Sequence, residues 1–332
     1  MVIHLKNTIA ETTAQQLGQQ FQAIVSKEAD YFVLVTPFAL KTLPDAVLPF
    51  VQAAWPMDSD IQLASKNYKT ELRKIRWGNT EIGGNTNHTV VIAGPCSIES
   101  WEQIESVAKL LKSLNISTLR AGCYKPRTSP YTFQGLGLEG LKMLAEVRRQ
   151  YGLNIITEVK DSSHIEEVIE YTDIIQIGAK AMYDHSILRR CGEIRKPVLL
   201  KRGFGTTLQE FVQSAEFILS GGNSEVILCE RGIRTFETKT RFTFDLCGAA
   251  WLKQYTNCPV ILDPSHAMGY AYGVPDLAKA SVAFGCDGLL IEVHPNPKVA
   301  KSDAAQQLDF EVFTNLMGDI RNIAVAVGRE II

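Results

Sequence analysis

The sequence lacks a marked charge of one sign and any long apolar run. Its 332 residues carry a formal net charge of -2, which argues against a general nucleic-acid binder, because such proteins have a basic excess. No apolar run approaches the roughly 18 residues that a membrane span needs. The first residues show no basic segment followed by an apolar stretch, the pattern of a signal peptide. We therefore expect a cytoplasmic protein with no membrane or nucleic-acid partner.

Paired cysteines are also missing. The seven cysteines lie at scattered positions, and none forms a C-x-x-C pair. An odd number of dispersed cysteines predicts reduced thiols rather than a disulfide framework. A structural zinc knuckle is not expected for the same reason.

From Val90 onward, short apolar runs alternate with amphipathic helical stretches. There are eight such runs, at 90–95, 117–122, 154–159, 174–179, 197–203, 225–232, 259–266 and 288–295. Continuous apolar runs separated by helices predict parallel strands that are buried on both faces. Eight units predict an α/β fold of the (β/α)8 or TIM barrel type over residues 90–332, with a doubly wound open sheet as the alternative.

Residues 1–70 do not follow this alternation. The segments VIHL and YFVLVT predict strands, AETTAQQLGQQFQAIVS predicts a helix between them, and PDAVLPFVQAAW predicts a second helix. We expect a small α+β domain here. Residues 71–89 are predicted to be a linker with a β-hairpin, since residues 77–89 are rich in Gly, Asn and Thr.

Charged residues collect at the carboxyl ends of the predicted strands, where barrel enzymes place their active sites. Gln176, Glu158, Glu230 and Asp263 occur there together with eight cations: Arg120, Lys125, Arg127, Lys180, Lys201, Arg202, Arg231 and Arg234. Two like charges 4 Å apart repel by roughly 4 kcal/mol near a protein surface. The excess of positive charge therefore predicts an anionic ligand with two phosphates, or with a phosphate and a carboxylate.

Three metal-binding side chains follow strands that become neighbours when the barrel closes. Cys96 ends the first strand, His266 the seventh and Glu292 the eighth, and all three are ligand types for divalent metals. Asp303 or Asp309 could supply a fourth ligand. Asp303 is favoured because it lies in a polar loop, whereas Asp309 is expected to begin a helix. Such a site could hold Mn²⁺, Fe²⁺, Co²⁺ or Zn²⁺ and leave room for water or substrate.

Two other interpretations are weaker. The segment GLGLEG (135–140) matches a dinucleotide-binding motif, but it follows a polar loop where that motif requires a strand. Lys201 could form a Schiff base, because surrounding cations lower a lysine pKa. The same cations suit a phosphate or carboxylate clamp equally well.

Several segments together resemble the type I, β-subgroup family of 3-deoxy-D-arabino-heptulosonate 7-phosphate (DAHP) synthases: IAGPCSIES, RAGCYKPRTSPYTFQGLG, IIQIGA, PVLLKRGF, ILCERGIRTFE, ILDPSHA and IEVHPNP. The resemblance extends over about residues 75–332. It implies a (β/α)8 barrel that needs a divalent metal. It also implies the condensation of phosphoenolpyruvate with erythrose 4-phosphate, the first step of the shikimate pathway.

The resemblance also implies roles for individual residues. Cys96, His266, Glu292 and Asp303 would bind the metal, and Lys125 would act in proton transfer, so that Lys125, Cys96 and His266 form the catalytic set.

The resemblance implies substrate-binding residues as well. Phosphoenolpyruvate would be held by Arg120, Lys201 and Arg231, with the backbone near Ala179. Erythrose 4-phosphate would be seated by Arg127, Thr128 and Ser129. Lys180 stands where the family usually has an arginine on the phosphate. The substrate-binding prediction is completed by Glu158, Gln176 and Asp263.

Other functions remain open at this point. 3-Deoxy-D-manno-octulosonate 8-phosphate synthase belongs to the same superfamily, but the segment KPRTSP follows the four-carbon-sugar pattern. A barrel that senses metabolites without catalysis is a third possibility.

Residues 1–70 resemble, in length and placement, the ferredoxin-like regulatory domain of some DAHP synthases. That domain binds Phe or Tyr and closes over the barrel mouth. Related enzymes are homotetramers or homodimers, and we expect one of these states.

Overall fold

The computed structural model describes residues 1–28, 30–125, 129 and 131–332. An antiparallel sheet and one helix form the amino-terminal unit: β1 (Val2–Leu5), α1 (Glu11–Gln20), β2 (Ile24–Lys27), β3 (Phe32–Val35) and β4 (Val51–Trp55). A hairpin follows, made of β5 (Lys74–Trp77) and β6 (Thr80–Gly83). Among the described residues, no helix is both long and apolar enough to cross a bilayer.

The second unit alternates strands and helices along the chain. Its elements are β7 (His88–Gly94), α2 (Trp101–Ser113), β8 (Thr118–Arg120), α3 (Leu138–Tyr151), β9 (Asn154–Val159), α4 (Ile165–Tyr171), β10 (Ile174–Ile177), α5 (His185–Glu193), β11 (Val198–Lys201), α6 (Leu208–Ser220), β12 (Val226–Glu230), α7 (Leu246–Tyr255), β13 (Val260–Leu262), α8 (Pro264–Met268), α9 (Val274–Phe284), β14 (Gly288–Glu292), α10 (Phe310–Ala326) and β15 (Glu330–Ile331).

Strands β7 to β14 form a closed parallel barrel. Neighbouring strands pair in chain order, and β14 pairs with β7 in parallel, so the sheet has no free edge. The short strand β15 adds to β7, with Glu330 opposite His88. The predicted TIM barrel preceded by a small α+β unit is confirmed, and the alternative of an open doubly wound sheet is wrong.

Each barrel strand alternates between side chains that face the helices and side chains that face the interior. On β14, Leu289 and Ile291 pack against the helices, whereas Leu290 belongs to the interior cluster. Two residues after Leu290, the same alternation turns Glu292 inward. The inward positions at the ends of five other strands are also polar: Arg120, Glu158, Gln176, Lys201 and Asp263. The carboxyl-terminal end of the barrel interior is therefore charged, although most of the interior is apolar.

The β5–β6 hairpin closes the opposite end of the barrel. Ile75, Trp77 and Ile82 pack against interior side chains from the first halves of the strands, such as Val90. The Trp77 indole N–H donates to Thr118 Oγ1 at 3.0 Å, which satisfies a polar group in an apolar environment. This arrangement leaves the carboxyl-terminal end as the side where a ligand reaches the charged interior.

The amino-terminal sheet has the strand order β2-β3-β1-β4, with antiparallel pairing, as in ferredoxin-like domains. Its second helix was predicted wrongly. The segment from Pro44 instead forms a 3-10 turn over Leu48–Phe50 and then β4. Pro49 lies within the predicted helix, where it would remove a backbone hydrogen bond. Helix α1 is also shorter than predicted, since β2 begins at Ile24.

The sheet packs against the outside of the barrel through Glu216 on α6. Its carboxylate accepts hydrogen bonds from three consecutive backbone N–H groups, those of Gln62 (2.7 Å), Leu63 (3.1 Å) and Ala64 (2.8 Å). The Gln62 side chain in turn donates to the carbonyl oxygen of Thr36, next to β3, at 2.8 Å. Glu216 therefore connects α6 with the sheet through one short segment.

We expect Glu216→Ala to destabilise the protein, because three backbone N–H groups lose a charged acceptor. The free energy of unfolding should fall by about 2 kcal/mol, measured by urea denaturation. Glu170→Ala, on the exposed face of α4, is the matched control and should change it little. Equal stability of the two variants would contradict the anchoring role of Glu216.

Candidate active site

A cavity of about 290 Å³ opens at the carboxyl-terminal end of the barrel. Eight predicted site residues line it: Lys125, Glu158, Ala179, Lys180, Lys201, Arg231, His266 and Asp303. Arg241, Phe204 and Phe242 complete the wall. Five lysine and arginine side chains thus face a space the size of a small metabolite.

A thiol and two carboxylates meet beside this cavity. The ligand atoms of Cys96, Glu292 and Asp303 all lie within 4.8 Å of one another, and Cys96 Sγ is 3.2 Å from Asp303 Oδ2. Asp303 has a φ of 46°, a left-handed conformation that Asp adopts more readily than most residues. The three residues come from two strand ends and one loop, as the sequence predicts.

His266 lies at the edge of this group. Its Nε2 is 3.5 Å from Glu292 Oε1, and its Nδ1 is 2.8 Å from Asp263 Oδ2. Burial lowers the pKa of His266, so the imidazole is neutral near pH 7. A neutral imidazole held by a carboxylate through one nitrogen presents the other nitrogen to a metal.

Lys125 contacts the thiol directly. Its ammonium group donates to Cys96 Sγ at 3.1 Å and to the Cys96 carbonyl oxygen at 3.2 Å. Burial, followed by the nearby Glu292 carboxylate, raises the pKa of the Cys96 thiol to about 12, despite the opposing charge of Lys125. The thiol side chain is thus fixed between an ammonium group and two carboxylates.

Two buried ion pairs support the charged interior. Arg120 Nη1 lies 2.7 Å from Glu292 Oε1, and Lys201 Nζ lies 2.5 Å from Asp263 Oδ2. Burial alone would raise the pKa of Asp263, but His266 and Lys201 hold it well below its usual range. Breaking either pair would leave an uncompensated buried charge, which costs about 3–5 kcal/mol.

Glu158 is brought close to the next strand by a glycine. A Cβ on Gly178 would lie 2.2 Å from Glu158 Oε1, so a larger residue there would displace the carboxylate. Gln176 donates to Glu158 Oε2 at 2.8 Å. The 3-10 turn Ala179–Ala181 follows and places Ala179 and Lys180 on the cavity wall.

Arg231 is held by an aromatic ring rather than by an acid. Its guanidinium carbon lies 4.2 Å from the centroid of Phe242, and Phe242 stacks on Phe204 with centroids 5.6 Å apart. Arg231 Nη1 is buried and has no hydrogen-bond partner among the described residues. Burial lowers the pKa of Arg231. A guanidinium on a cavity wall with one buried N–H group that lacks a partner is suited to bind an anion.

The remaining predicted residues have different environments. Ser129 makes local contacts, accepting from the backbone N–H of Tyr131 at 3.3 Å. Arg127 and Thr128 lie outside the described residues. Arg202 does not reach the cavity, because it pairs with Glu230 (3.0 Å) and Asp245 (2.7 Å) between the strands and α7. Asp309 caps α10 through the backbone N–H of Val312, in agreement with its predicted place at a helix start.

Sequence reasoning missed residues that lie in loops. Arg241 and Phe242 belong to the loop after β12, and Ser302 and Gln306 flank Asp303. Ser302 Oγ is 2.9 Å from Cys96 Sγ. The signal for Arg241 was available, since an arginine after a barrel strand meets the rule that selected the other cations. The glutamine and serine carry no comparable signal.

Comparison with known proteins agrees with this geometry. The family model described as the DAHP synthetase I family matches residues 63–325. A phospho-2-dehydro-3-deoxyheptonate aldolase of Thermotoga maritima is 44% identical over 267 residues, which are 80% of this chain and 78% of the relative. A 2-dehydro-3-deoxyphosphooctonate aldolase of Bordetella petrii is 34% identical, over 68% of this chain and 87% of the relative.

Solved structures extend the similarity to the amino-terminal unit. The crystal structure of phospho-2-dehydro-3-deoxyheptonate aldolase (DAHP synthase) from Thermotoga maritima covers 100% of this chain and 99% of its own, with a TM-score of 0.80 and 37% identity. A truncated form of that enzyme covers 82% of this chain and 100% of its own, with a TM-score of 0.77 and 40% identity. The chain therefore belongs to the DAHP synthetase I family.

Proposed function

We propose that this cavity performs the reaction of the family, in which phosphoenolpyruvate, erythrose 4-phosphate and water give 3-deoxy-D-arabino-heptulosonate 7-phosphate and phosphate. The observation that carries the proposal is a thiol and two carboxylates, all within 4.8 Å of one another, beside a cavity lined by lysine and arginine. The reaction is the first step of the shikimate pathway. It brings two anions together, which explains the need for many cations.

The cluster fits a divalent metal. One buried thiol, two carboxylates and a neutral imidazole are ligand types shared by Mn²⁺, Fe²⁺, Co²⁺ and Zn²⁺. Cys96, Glu292, Asp303 and His266 would hold the ion. A bound ion would act as a Lewis acid on the aldehyde oxygen of erythrose 4-phosphate. Its identity depends on cellular supply as well as on the ligand set.

The cations of the cavity bind and orient the substrates. Arg231 and Lys201 would hold the carboxylate and phosphate of phosphoenolpyruvate, with Arg120 beneath them and Lys180 at the wall. Erythrose 4-phosphate would be seated by Arg127, Thr128 and Ser129. Positioning two mutually repelling anions for attack can lower the barrier by several kcal/mol.

Lys125 would transfer a proton in this reaction. In the reaction, C3 of phosphoenolpyruvate attacks the aldehyde carbon, and the aldehyde oxygen takes up a proton as it becomes a hydroxyl. Water then adds at C2, and the resulting hemiketal phosphate loses phosphate. The Lys125 ammonium group lies at the cavity wall and beside Cys96. From there it would donate the proton that converts the aldehyde oxygen into the new hydroxyl.

The amino-terminal unit would serve regulation, through binding of Phe or Tyr. Its ferredoxin-like strand order and its attachment to α6 through Glu216 support this part of the proposal. Among the described residues, the unit contacts helix α6, through β2 and through Glu216. The homotetrameric or homodimeric state and the cytoplasmic location stay predictions.

The proposed reaction is tested by phosphate release from phosphoenolpyruvate with Mn²⁺ present. We expect release with erythrose 4-phosphate and far less with arabinose 5-phosphate, and EDTA should abolish it. A preference for arabinose 5-phosphate would assign the octulosonate reaction instead. Absence of release with any sugar or metal would favour a sensing barrel.

We expect Cys96→Ala to reduce turnover by at least about a hundredfold, because the metal loses its thiolate ligand. Cys247→Ala, which alters an exposed thiol on α7, is the matched control and should retain activity. Bound Mn²⁺ is measured in parallel by atomic absorption. Full activity of the Cys96 variant would contradict the proposed ligand set.

Phe242→Leu should raise the KM for phosphoenolpyruvate by roughly 2- to 30-fold, because Arg231 loses a cation–π contact of about 0.5–2 kcal/mol. kcat should change less, since the ring does not touch the reacting atoms. Phe236→Leu, on the same loop but 97% exposed, is the control. A change in kcat alone would argue against a role in holding Arg231.

Regulation is tested by titrating Phe and Tyr into the assay of the full chain. We expect one of them to inhibit the wild type and to inhibit Glu216→Ala more weakly, because the sheet is then less firmly attached to α6. Insensitivity of the wild type to both amino acids would remove this part of the proposal.

A further inference from the structure

Gln306 lies between the cavity and the Glu292 carboxylate. Its Nε2 donates to Glu292 Oε2 at 2.6 Å, and its Oε1 accepts from Arg241 Nη1 at 2.6 Å. Gln306 is only 2% exposed. A carboxylate accepts hydrogen bonds and a guanidinium only donates, so these two neighbours determine which way the amide points. A side chain that both donates and accepts is required at this position.

Gln306 determines the orientation of Glu292 together with Arg120. Glu292 Oε1 is engaged by Arg120 at 2.7 Å and approached by His266 Nε2 at 3.5 Å. The second oxygen, Oε2, is held by Gln306. With both oxygens engaged, the plane of the carboxylate is fixed.

Arg241 connects the hydrogen bond between Gln306 and Glu292 to the cavity. Its guanidinium lines the cavity and lies 3.8 Å from Asp303 Oδ1. Its backbone N–H donates to the carbonyl oxygen of Met268, two residues after His266, at 3.1 Å. Arg241 is therefore anchored to the helix that carries His266 while it holds Gln306.

We propose that Arg241 and Gln306 are positioning residues that orient Glu292 for the metal. Arg241 fixes the amide of Gln306, and Gln306 fixes Glu292 Oε2. The inference rests on the proposed metal site. It assigns functions to two side chains that do not themselves belong to the ligand group. Loss of a group that orients a metal ligand typically weakens metal binding by 10- to 100-fold.

The direction in which metal affinity changes when Arg241 is replaced distinguishes a positioning role from an effect of its charge alone. As a nearby cation, Arg241 repels a metal ion, so its removal would tighten metal binding if charge were its whole effect. A positioning role predicts the opposite, because Gln306 is then no longer fixed. In a Gln306→Met background, Arg241→Met should no longer weaken binding, since the connection is already broken.

The test is Co²⁺ titration of metal-free protein, followed by the near-ultraviolet thiolate–cobalt absorption, which needs no turnover. Gln306→Met keeps the side-chain volume but removes both hydrogen bonds, and it should raise the Kd about 10- to 100-fold. Arg241→Met should raise the Kd by a smaller factor, and the double variant should bind at least as tightly as Gln306→Met, because only the repulsion by Arg241 is then removed. Gln150→Met, on the exposed end of α3, should bind as the wild type does.

The possible outcomes are distinct. Wild-type protein without a thiolate–cobalt band would overturn the metal site itself. A normal wild-type band with an unchanged Kd for Gln306→Met would overturn the positioning role alone. Tighter binding by Arg241→Met would overturn the part played by Arg241. Should Gln306→Met unfold, Gln306→Asn replaces it, because an amide shorter by one methylene cannot span both partners and should weaken binding similarly.

Discussion

Charge in the interior of this barrel is stabilised by two close pairs of opposite charge. Arg120 pairs with Glu292 and Lys201 pairs with Asp263, which also lies 2.8 Å from the neutral imidazole of His266. Removing a charge from water costs several kcal/mol, which only close pairing and additional hydrogen bonds offset. The pairs also fix geometry, since each acid is held from more than one side. Arg231 differs from these residues, because an aromatic ring supports it and its buried Nη1 has no hydrogen-bond partner among the described residues.

The alternation of side chains along each strand turns these charged residues into the carboxyl-terminal end of the barrel interior. The interior positions are mostly apolar and become charged at the carboxyl-terminal ends, so a single pattern specifies both a stable core and a charged opening. Lys201 and Arg202 illustrate the consequence. They are adjacent in sequence, yet Lys201 lines the cavity while Arg202 pairs with Glu230 and Asp245 beside α7. Sequence analysis grouped them because it located the strand end without applying the alternation to it.

Prediction from sequence succeeded where periodicity was strong. The eight apolar runs identified the barrel strands, and residues at or just after their ends include Cys96, Glu292 and four of the cations that line the cavity. It failed where the chain is irregular. Pro49 and a short strand replaced the second helix of the amino-terminal unit. Arg241 and Gln306 occupy loops, where spacing says nothing of which side chains meet. Their contacts depend on how two loops from distant parts of the chain fold over His266 and Glu292.

The hairpin that closes the amino-terminal end of the barrel determines how a ligand enters the interior. Trp77 and its neighbours fill that end, so in the part of the chain that the structure describes, a ligand reaches the charged interior from the opposite end. A molecule seated deep against Lys125 is covered by whatever occupies the outer wall near Arg241. A ligand that contacts Lys125 would therefore have to enter before the outer position near Arg241 is filled.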